Sequence, residues 1–159
     1  MNDTLLQNWT TLLAELIRRT STDLPCDVRA ALHRGCAAED ESGRACRTLR
    51  TIVENADVAC DGVVPLCQDT GTLTFWFDVP YGSDASRFEE AARQAVRRAT
   101  EAGWLRLNVI NVPSGSQVAD NVAKGNPSLH IRQTATDVVR VSLLMKGGGS
   151  ENMSAQYSL

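Results

Sequence analysis

The hydrophobic pattern of the chain changes after its first sixty residues. Up to that point, apolar side chains recur at helical spacing in three stretches separated by short polar runs, as is typical of amphipathic helices. The first stretch extends from Leu5 to Ile17, with Asp3 or Thr4 available as its N-cap. The small polar residues 20–23 are predicted to end this helix.

Two further helices complete this part of the chain. The second is predicted to begin near Pro25, because proline lacks an N–H that a first helical turn leaves unbonded in any case. The polar residues 39–43 separate it from a third helix over residues 45–60. The side chains predicted to face inward from these two helices are Val28, Ala31, Leu32, Cys36, Ala45, Leu49, Ile52, Val53, Ala56 and Cys60.

Strand and helix patterns alternate in the rest of the chain. Apolar and polar residues alternate from Thr72 to Val79, which predicts a strand with one buried face. Residues 84–102 carry an apolar helical face, with Asp84 placed to cap the helix and Gly103 to end it.

The remaining apolar runs predict short strands at residues 105–112 and 129–133 and a buried strand at 138–145. These elements predict an α+β fold, in which an N-terminal helical layer precedes a mixed sheet packed with helices, within a single domain over residues 1–159. The side chains predicted to share its core are Phe75, Phe77, Phe88, Val96, Leu143 and Leu144.

Composition and charge exclude several classes of protein. Hydrophobic residues make up 43% and charged residues 22%, as in ordinary folded domains. The formal net charge of −3 disfavours a nucleic-acid-binding protein, which would present a clustered basic surface. No apolar run approaches the ~20 residues of a membrane span, and the N-terminus lacks the layout of a secretion signal. We therefore expect a cytoplasmic protein with neither a nucleic-acid nor a membrane partner.

The chain contains five cysteines, Cys26, Cys36, Cys46, Cys60 and Cys67. Without a secretion signal they are expected to be reduced, so a disulfide framework is not expected. No two form a CxxC pair, which disfavours a zinc ribbon or finger. Cysteine is a frequent core residue, and we interpret all of them except Cys67 as structural.

Residues 65–71 form the first segment with candidate chemistry. Cys67, Gln68, Asp69 and Thr70 place a thiol, an amide, a carboxyl and a hydroxyl consecutively in a loop between a helix and a strand. Loops held by rigid elements commonly carry functional residues. The alternative is a tight turn in which Gly71 is the hinge and Asp69 a local cap.

A second candidate segment follows the last predicted strand. Lys146 precedes Gly147, Gly148 and Gly149, and successive glycine N–H groups can bind an anion. The segment matches neither a Walker A loop nor a GxGxxG motif. A flexible loop is the alternative.

The other polar residues considered are His33, His130 and Arg106. We interpret His33 as a surface residue, and His130 as either a packed histidine at a strand edge or a pocket residue. Arg106 is a cation within an apolar stretch, where it either extends to solvent or binds a carboxylate.

Four motifs, in this order, identify a family. They are PLCQDTG (65–71), LR (105–106), NPSLH (126–130) and KGGGSENMS (146–154). Together they resemble the N-terminal part, or alpha subunit, of the class I iron–sulfur fumarate hydratases and their L-tartrate dehydratase relatives. The resemblance covers nearly the whole chain, and PLCQDTG and KGGGSEN are its most specific motifs.

The resemblance implies a 4Fe-4S cluster held by three cysteines, of which Cys67 matches the first. The other two belong to a later region of the family's alpha chain, so only one ligand is expected here. The implied partners are the remainder of the alpha chain and a beta subunit, in an oligomeric assembly. The chain ends at Leu159, and we expect it to be incomplete and inactive alone.

The resemblance also implies roles for individual residues. Asp69 matches the residue that moves a proton to or from the leaving hydroxyl. Gln68 and Arg106 fit the role of donors to a small dicarboxylate substrate, together with N–H groups at Gly147, Gly148 and Gly149. Lys146 and His130 are expected near this pocket.

The leading hypothesis is therefore a component of an iron–sulfur hydro-lyase that reversibly hydrates fumarate to malate. The GGGSEN form resembles fumarase chains, which favours fumarate. An L-tartrate dehydratase component and a non-catalytic cluster-binding or assembly subunit are the alternatives. A cysteine-nucleophile enzyme using Cys67 and His130 is disfavoured, because no Asn or Asp partner for the histidine stands out.

Overall fold

A computed structural model describes residues 3–69, 72–111 and 113–147. Three helices come first, and a mixed sheet with one further helix follows, which confirms the predicted α+β fold. In chain order the elements are α1 (Asp3–Thr22), α2 (Cys26–Ala38), α3 (Arg44–Gly62), β1 (Thr72–Pro80), α4 (Ala85–Glu101), β2 (Ile110–Asn111), β3 (Ser116–Gln117), β4 (Ser128–Thr134) and β5 (Arg140–Lys146). Among the described residues, no helix is long and apolar enough to cross a membrane.

The main sheet has three strands in the order β4-β1-β5. The central strand β1 runs parallel to β4 and antiparallel to β5, so that Phe75 lies opposite both Leu129 and Leu143. The strands β2 and β3 form a separate short antiparallel pair. Of the described residues in the strand predicted over 105–112, only Ile110–Asn111 has strand pairing.

One face of the sheet carries the hydrophobic core. The alternation predicted for β1 is confirmed: Leu73, Phe75, Phe77 and Val79 are at most 1% exposed. The helices α1 and α4 supply the other side of this core. Their buried apolar residues are Leu13, Ala14, Ile17, Phe88, Ala91, Ala92, Ala95, Val96 and Ala99.

The predicted limits of α4 are confirmed as well. The Asp84 carboxylate accepts a hydrogen bond from the Ser86 N–H at 3.1 Å and so caps the helix. After the helix, Gly103 adopts φ +76°, a left-handed conformation that glycine reaches without strain.

The prediction that Leu144 belongs to the core is wrong. Its side chain is 51% exposed, whereas Leu143 is half-buried against the core. Successive residues of a strand point to opposite faces of the sheet, so these two leucines cannot share one face. The strand predicted as buried over 138–145 is Arg140–Lys146, and its residues alternate between exposed and half-buried.

The small polar residues 20–23 end the first helix as predicted, because α1 ends at Thr22. The hydroxyls of Thr20, Ser21 and Thr22 donate to the carbonyls of Leu16 and Arg18. Each hydroxyl thus bonds to a carbonyl in the last turns of the helix. The second helix starts directly after Pro25, which is its N-cap residue.

The helices α2 and α3 form a hairpin beside the core. None of the residues 26–38 is buried, and Val28, predicted to face inward, is 42% exposed. The buried side of α3 also differs from the prediction, because Ala45 and Ile52 are exposed. The α3 residues that are buried are Cys46, Val53, Ala56 and Ala59.

Candidate functional site

The loop between α3 and β1 is fixed at its start. Val63 ends α3 in a left-handed conformation, φ 50°, and its N–H donates to helix carbonyls. The Leu66 N–H donates to the Ser21 carbonyl at 2.8 Å, and the Asn55 side-chain amide donates to the Leu66 carbonyl at 3.3 Å. The ends of α1 and α3 therefore position the loop, on which Cys67 and Gln68 are exposed.

Asp69 lies directly against Gly147, the residue that follows β5. A Cβ atom added to Gly147 would come within 2.9 Å of Asp69 Oδ2 and 3.1 Å of Cγ. Glycine at this position thus allows the carboxyl group to approach the backbone closely. The PLCQDTG motif and the beginning of the KGGGSEN motif meet at this contact. Gly148 and Gly149 lie outside the described residues.

The segment that carries Arg106 is held by a buried asparagine. Asn121 is 2% exposed, and its side-chain amide donates to the Arg106 carbonyl at 2.9 Å and to Thr100 Oγ1 at 3.1 Å. The side-chain oxygen of Asn121 accepts from the Val109 N–H at 3.4 Å. Asn121 thus bonds to backbone groups of Arg106 and Val109 in the segment before the short strand β2.

A second buried asparagine connects this network to the sheet. Asn126 is 6% exposed, and its amide donates to the Asn121 carbonyl at 2.6 Å. Its side-chain oxygen accepts from the Leu73 N–H at 3.1 Å, where β1 begins. Because both ends of the Asn126 amide are bonded, the segment 105–126 is positioned relative to the strand that follows Asp69.

These segments surround a cavity of about 400 Å³. Its lining residues are Asp69, Thr72, Asn108, Val109, Ile110, Lys124, Gly125 and Asn126. The lining combines a carboxyl group that can transfer a proton with an ammonium and amides that can bind an anion. The cavity is therefore suited to a small ligand that carries a carboxylate and undergoes proton transfer.

The structure brings some of the predicted site residues together. Asp69 lines the cavity and contacts Gly147. The Asn108 side-chain amide donates to the Gln68 carbonyl at 3.4 Å, and Asn108 N–H donates to the Arg106 carbonyl at 3.0 Å. The segments of Gln68 and Arg106 are thus adjacent.

Lys146 is near the same edge, since it lies opposite Thr72 in the register of β5 and β1. Of the sheet residues around it, Thr72 lines the cavity. Lys124 and the asparagines Asn108 and Asn121 lie outside the four sequence motifs, so no signal pointed to them. For Asn126 there was one signal, because it belongs to the NPSLH motif.

His130 lies elsewhere, on the sheet face opposite the core. Its ring stacks on Trp76, with ring centroids 5.4 Å apart and an interplanar angle of 11°. Beside it, Arg132 donates to both carboxylate oxygens of Asp78 at 2.8 and 2.9 Å, which lowers the pKa of Asp78. This face lines a separate cavity of about 610 Å³, and His130 is not among the described residues that line the cavity at Asp69.

Side chains that could bind a metal ion are scattered over the described residues. There, no three His, Cys, Asp or Glu side chains are close enough to hold a metal ion. Cys67 offers one exposed thiol on the site loop, whereas the other four cysteines belong to α2 and α3. The described residues thus fit one ligand of an iron–sulfur cluster and not a complete cluster site.

Comparisons with known proteins agree with the motifs. Residues 10–159 match the family model described as fumarate hydratase (Fumerase). A Geobacillus stearothermophilus protein named as a class I fumarate hydratase is 41% identical over 145 residues, which cover 91% of this chain and 28% of that protein. A Methanocaldococcus jannaschii protein named as an L(+)-tartrate dehydratase alpha subunit is 33% identical over 150 residues, covering 91% and 52%.

Proposed function

Because the chain belongs to the fumarate hydratase family, we propose that it is a component of a hydro-lyase that interconverts fumarate and malate. The observation that carries this proposal is the contact between Asp69 and Gly147 at the edge of a polar cavity, which joins the two most specific motifs. The chain spans 28% and 52% of the length of the two curated relatives. We therefore assign the activity to an assembly with the remainder of the alpha chain and a beta subunit.

Cys67 is proposed to bind one iron of a 4Fe-4S cluster. Its thiol is exposed on a loop that is anchored to α1 and α3, so cluster ligands from other parts of the assembly can approach it. When bound, such a cluster supplies a Lewis-acidic iron that activates a substrate hydroxyl. The described residues do not complete the cluster site, so the roles below concern the chain's own side chains.

Asp69 is proposed to hold and transfer the proton at the substrate hydroxyl. Its carboxyl group lines the cavity, and its contact with the Gly147 backbone restricts where it can point. A carboxylate held within reach of the reacting oxygen can act as a general acid or base. In the direction of dehydration, it would protonate the departing hydroxyl.

The substrate carboxylates are proposed to be bound by cations and amides around this cavity. Gln68 and Arg106 lie on adjacent segments joined by Asn108. Lys124 and Asn126 line the same cavity and add an ammonium and an amide. Lys146, at the end of β5, is proposed to add a further cation, and the glycines 147–149 after it are proposed to add N–H donors. A dicarboxylate needs such donors at both of its ends.

L-tartrate is the second candidate substrate. The relative from Methanocaldococcus jannaschii is named as a tartrate dehydratase subunit, and its identity of 33% is not far below the 41% of the fumarate hydratase relative. Dehydration of malate and dehydration of tartrate both remove a hydroxyl next to a carboxylate, so the same Asp69 chemistry serves both. Assay of the assembled enzyme with each substrate distinguishes them.

The substitution Asp69→Asn tests the proposed function in the assembled enzyme. It preserves size but removes the proton that Asp69 would exchange, so kcat is expected to fall by at least about 10²-fold, with a much smaller change in KM. Iron content per assembly should be unchanged. The measurement is kcat and iron on the same preparation, made with the remainder of the alpha chain and the beta subunit.

Two further variants make this test decisive. Asp78→Asn changes a carboxylate on the opposite sheet face, where it pairs with Arg132, and should leave kcat within about twofold. Cys67→Ser should remove iron, because a hydroxyl replaces the thiolate ligand. Near-normal turnover per iron in Asp69→Asn would show that Asp69 only caps its loop.

A further inference from the structure

Two cysteines face each other across the hairpin of α2 and α3. Cys36 lies in the last turn of α2, and Cys46 lies in the first turn of α3, on either side of the connection 39–43. Their sulfur atoms are 2.9 Å apart, and both are free thiols. The proposed hydro-lyase function does not use this pair.

Close packing fixes this distance. One residue before Cys36, a Cβ atom added to Gly35 would lie 3.3 Å from Leu49 Cδ1 on α3, so the two helices approach closely there. The Cys36 sulfur is also 3.7 Å from the Cys46 carbonyl oxygen. A disulfide needs sulfurs about 2.05 Å apart, so the pair has to close by less than about 1 Å.

A cation stands beside the two thiols. Arg50 is one helical turn after Cys46, and its Nη2 lies 3.8 Å from the Cys46 sulfur. The hydrogen-bonded Cys36 thiol raises the pKa of Cys46, whereas the Arg50 charge opposes that rise. The Arg50 guanidinium also interacts with the Cys36 thiol, and a guanidinium beside a thiol stabilises the thiolate, the form that reacts with oxidants.

Access differs between the two sulfurs. Cys36 is half-buried and therefore reachable from solvent, whereas Cys46 is 2% exposed. This arrangement gives the pair an attacking and a resolving member: an oxidant meets Cys36 first, and Cys46 is within reach to complete the reaction.

We propose that Cys36 and Cys46 are an oxidation site at which peroxides form an intramolecular disulfide that joins α2 to α3. The Cys36 thiolate attacks one peroxide oxygen, which breaks the O–O bond and gives a sulfenic acid. The Cys46 sulfur then attacks the sulfenic sulfur, forming the S–S bond and releasing water. With hydrogen peroxide, two thiols and one peroxide give one disulfide and two waters, and a thiol reductant reverses the change.

Peptide mapping of the 159-residue chain tests the proposal. The reduced protein is treated with hydrogen peroxide under native conditions, its remaining thiols are alkylated, and the digest is analysed by mass spectrometry without reduction. We expect a cross-linked peptide pair containing Cys36 and Cys46, with the other three of the five cysteines alkylated. Dithiothreitol should restore five alkylated cysteines.

Variants decide which residues are responsible. Cys36→Ser should abolish the cross-link, whereas Cys60→Ser, which changes another half-buried cysteine of α3, should leave it intact. Arg50→Gln should slow formation of the cross-link by at least about threefold, because the thiolate loses its neighbouring charge. Circular dichroism confirms that each variant is folded before treatment.

Three results would overturn the proposal. They are a protein that keeps five alkylated cysteines, a Cys36 converted to sulfinic acid without any cross-link, and a cross-link that joins other cysteines or two chains. An unchanged rate in Arg50→Gln would overturn the part assigned to the arginine. None of these results bears on Asp69, so the proposed function and this site fail independently.

Discussion

The core helix α4 and the hairpin helix α2 bury their apolar side chains to very different extents. On the core side, α4 buries six residues, and the inward residues of β1 are at most 1% exposed. On the hairpin side, α2 buries none, although its sequence also carries an apolar face. Periodicity therefore predicts that a helix forms, but the presence of a second packed surface decides whether its apolar face is buried.

The candidate site lies between these two regions. Its loop leaves α3, is bonded to the end of α1 through Leu66, and leads into β1. Asp69 is thus placed by the core on one side and by the hairpin's second helix on the other. The bond to α1 therefore lets the core stabilise the site loop even where the hairpin contributes less.

The largest expected difference between the two sides of the sheet concerns Phe75. It is fully buried between β1 and the core helices, so Phe75→Ala should reduce the free energy of unfolding by about 3–5 kcal/mol. Leu144→Ala removes an apolar side chain that is 51% exposed on the opposite face and should cost less than about 1 kcal/mol. Denaturant titration followed by circular dichroism measures both.

A loss below 1 kcal/mol for Phe75→Ala would contradict the assignment of the core to this face. Equal losses for the two variants would show that both faces of the sheet are covered, which would remove the distinction between them. Because Leu144 lies opposite Thr74 and Leu143 opposite Phe75, the comparison is made within one pair of strands.

A smaller difference should separate α2 from α4 in amide hydrogen exchange. Neither helix contains proline, but α2 buries no side chain whereas α4 buries six. We expect interior amides of α2 to exchange at least about tenfold faster than those of α4, after correction for intrinsic rates, since poorly packed elements open locally. Equal protection would mean that α2 opens only with the whole domain.

If the cross-link between Cys36 and Cys46 forms, exchange in α2 should slow while exchange in α4 stays constant.

Local patterns were sufficient for the elements of the core and insufficient for the site. The alternation around Phe75 and the cap at Asp84 depend on neighbouring residues, and both predictions are confirmed. The contact between Asp69 and Gly147 joins residues far apart in the chain, and no periodicity encodes it. The motif resemblance selected both residues, but it gave no indication of Asn121, which acts through backbone groups of the Arg106 segment.

The remaining errors have the same origin. The prediction for Leu144 requires an apolar run that is buried on both faces of the sheet, whereas β5 is covered on one face. The helical spacing of apolar residues in α2 predicts that Val28 faces inward, but tertiary packing leaves it exposed. In each case the sequence defines an apolar surface, and the number of elements packed on it determines burial.

The smallest expected effect tests whether surface charge contributes to the stability of the core side. The guanidinium groups of Arg18 and Arg19 donate to the Glu15 carboxylate on α1 and lower its pKa to about 2. A carboxyl group with a lowered folded-state pKa stabilises the protein above its unfolded pKa, and this contribution disappears as the pH falls from about 4.5 towards 2. Glu15 is 40% exposed, so solvent screening should limit the loss in Glu15→Gln to less than about 1 kcal/mol at pH 7. The difference between wild type and variant in the free energy of unfolding should shrink when measured at pH 3.

Glu54→Gln, which changes an exposed glutamate of α3, is the matched control and should show almost no difference from wild type at either pH. A loss at pH 7 as large as that of Phe75→Ala would show that charge, rather than buried area, distinguishes the core from the hairpin.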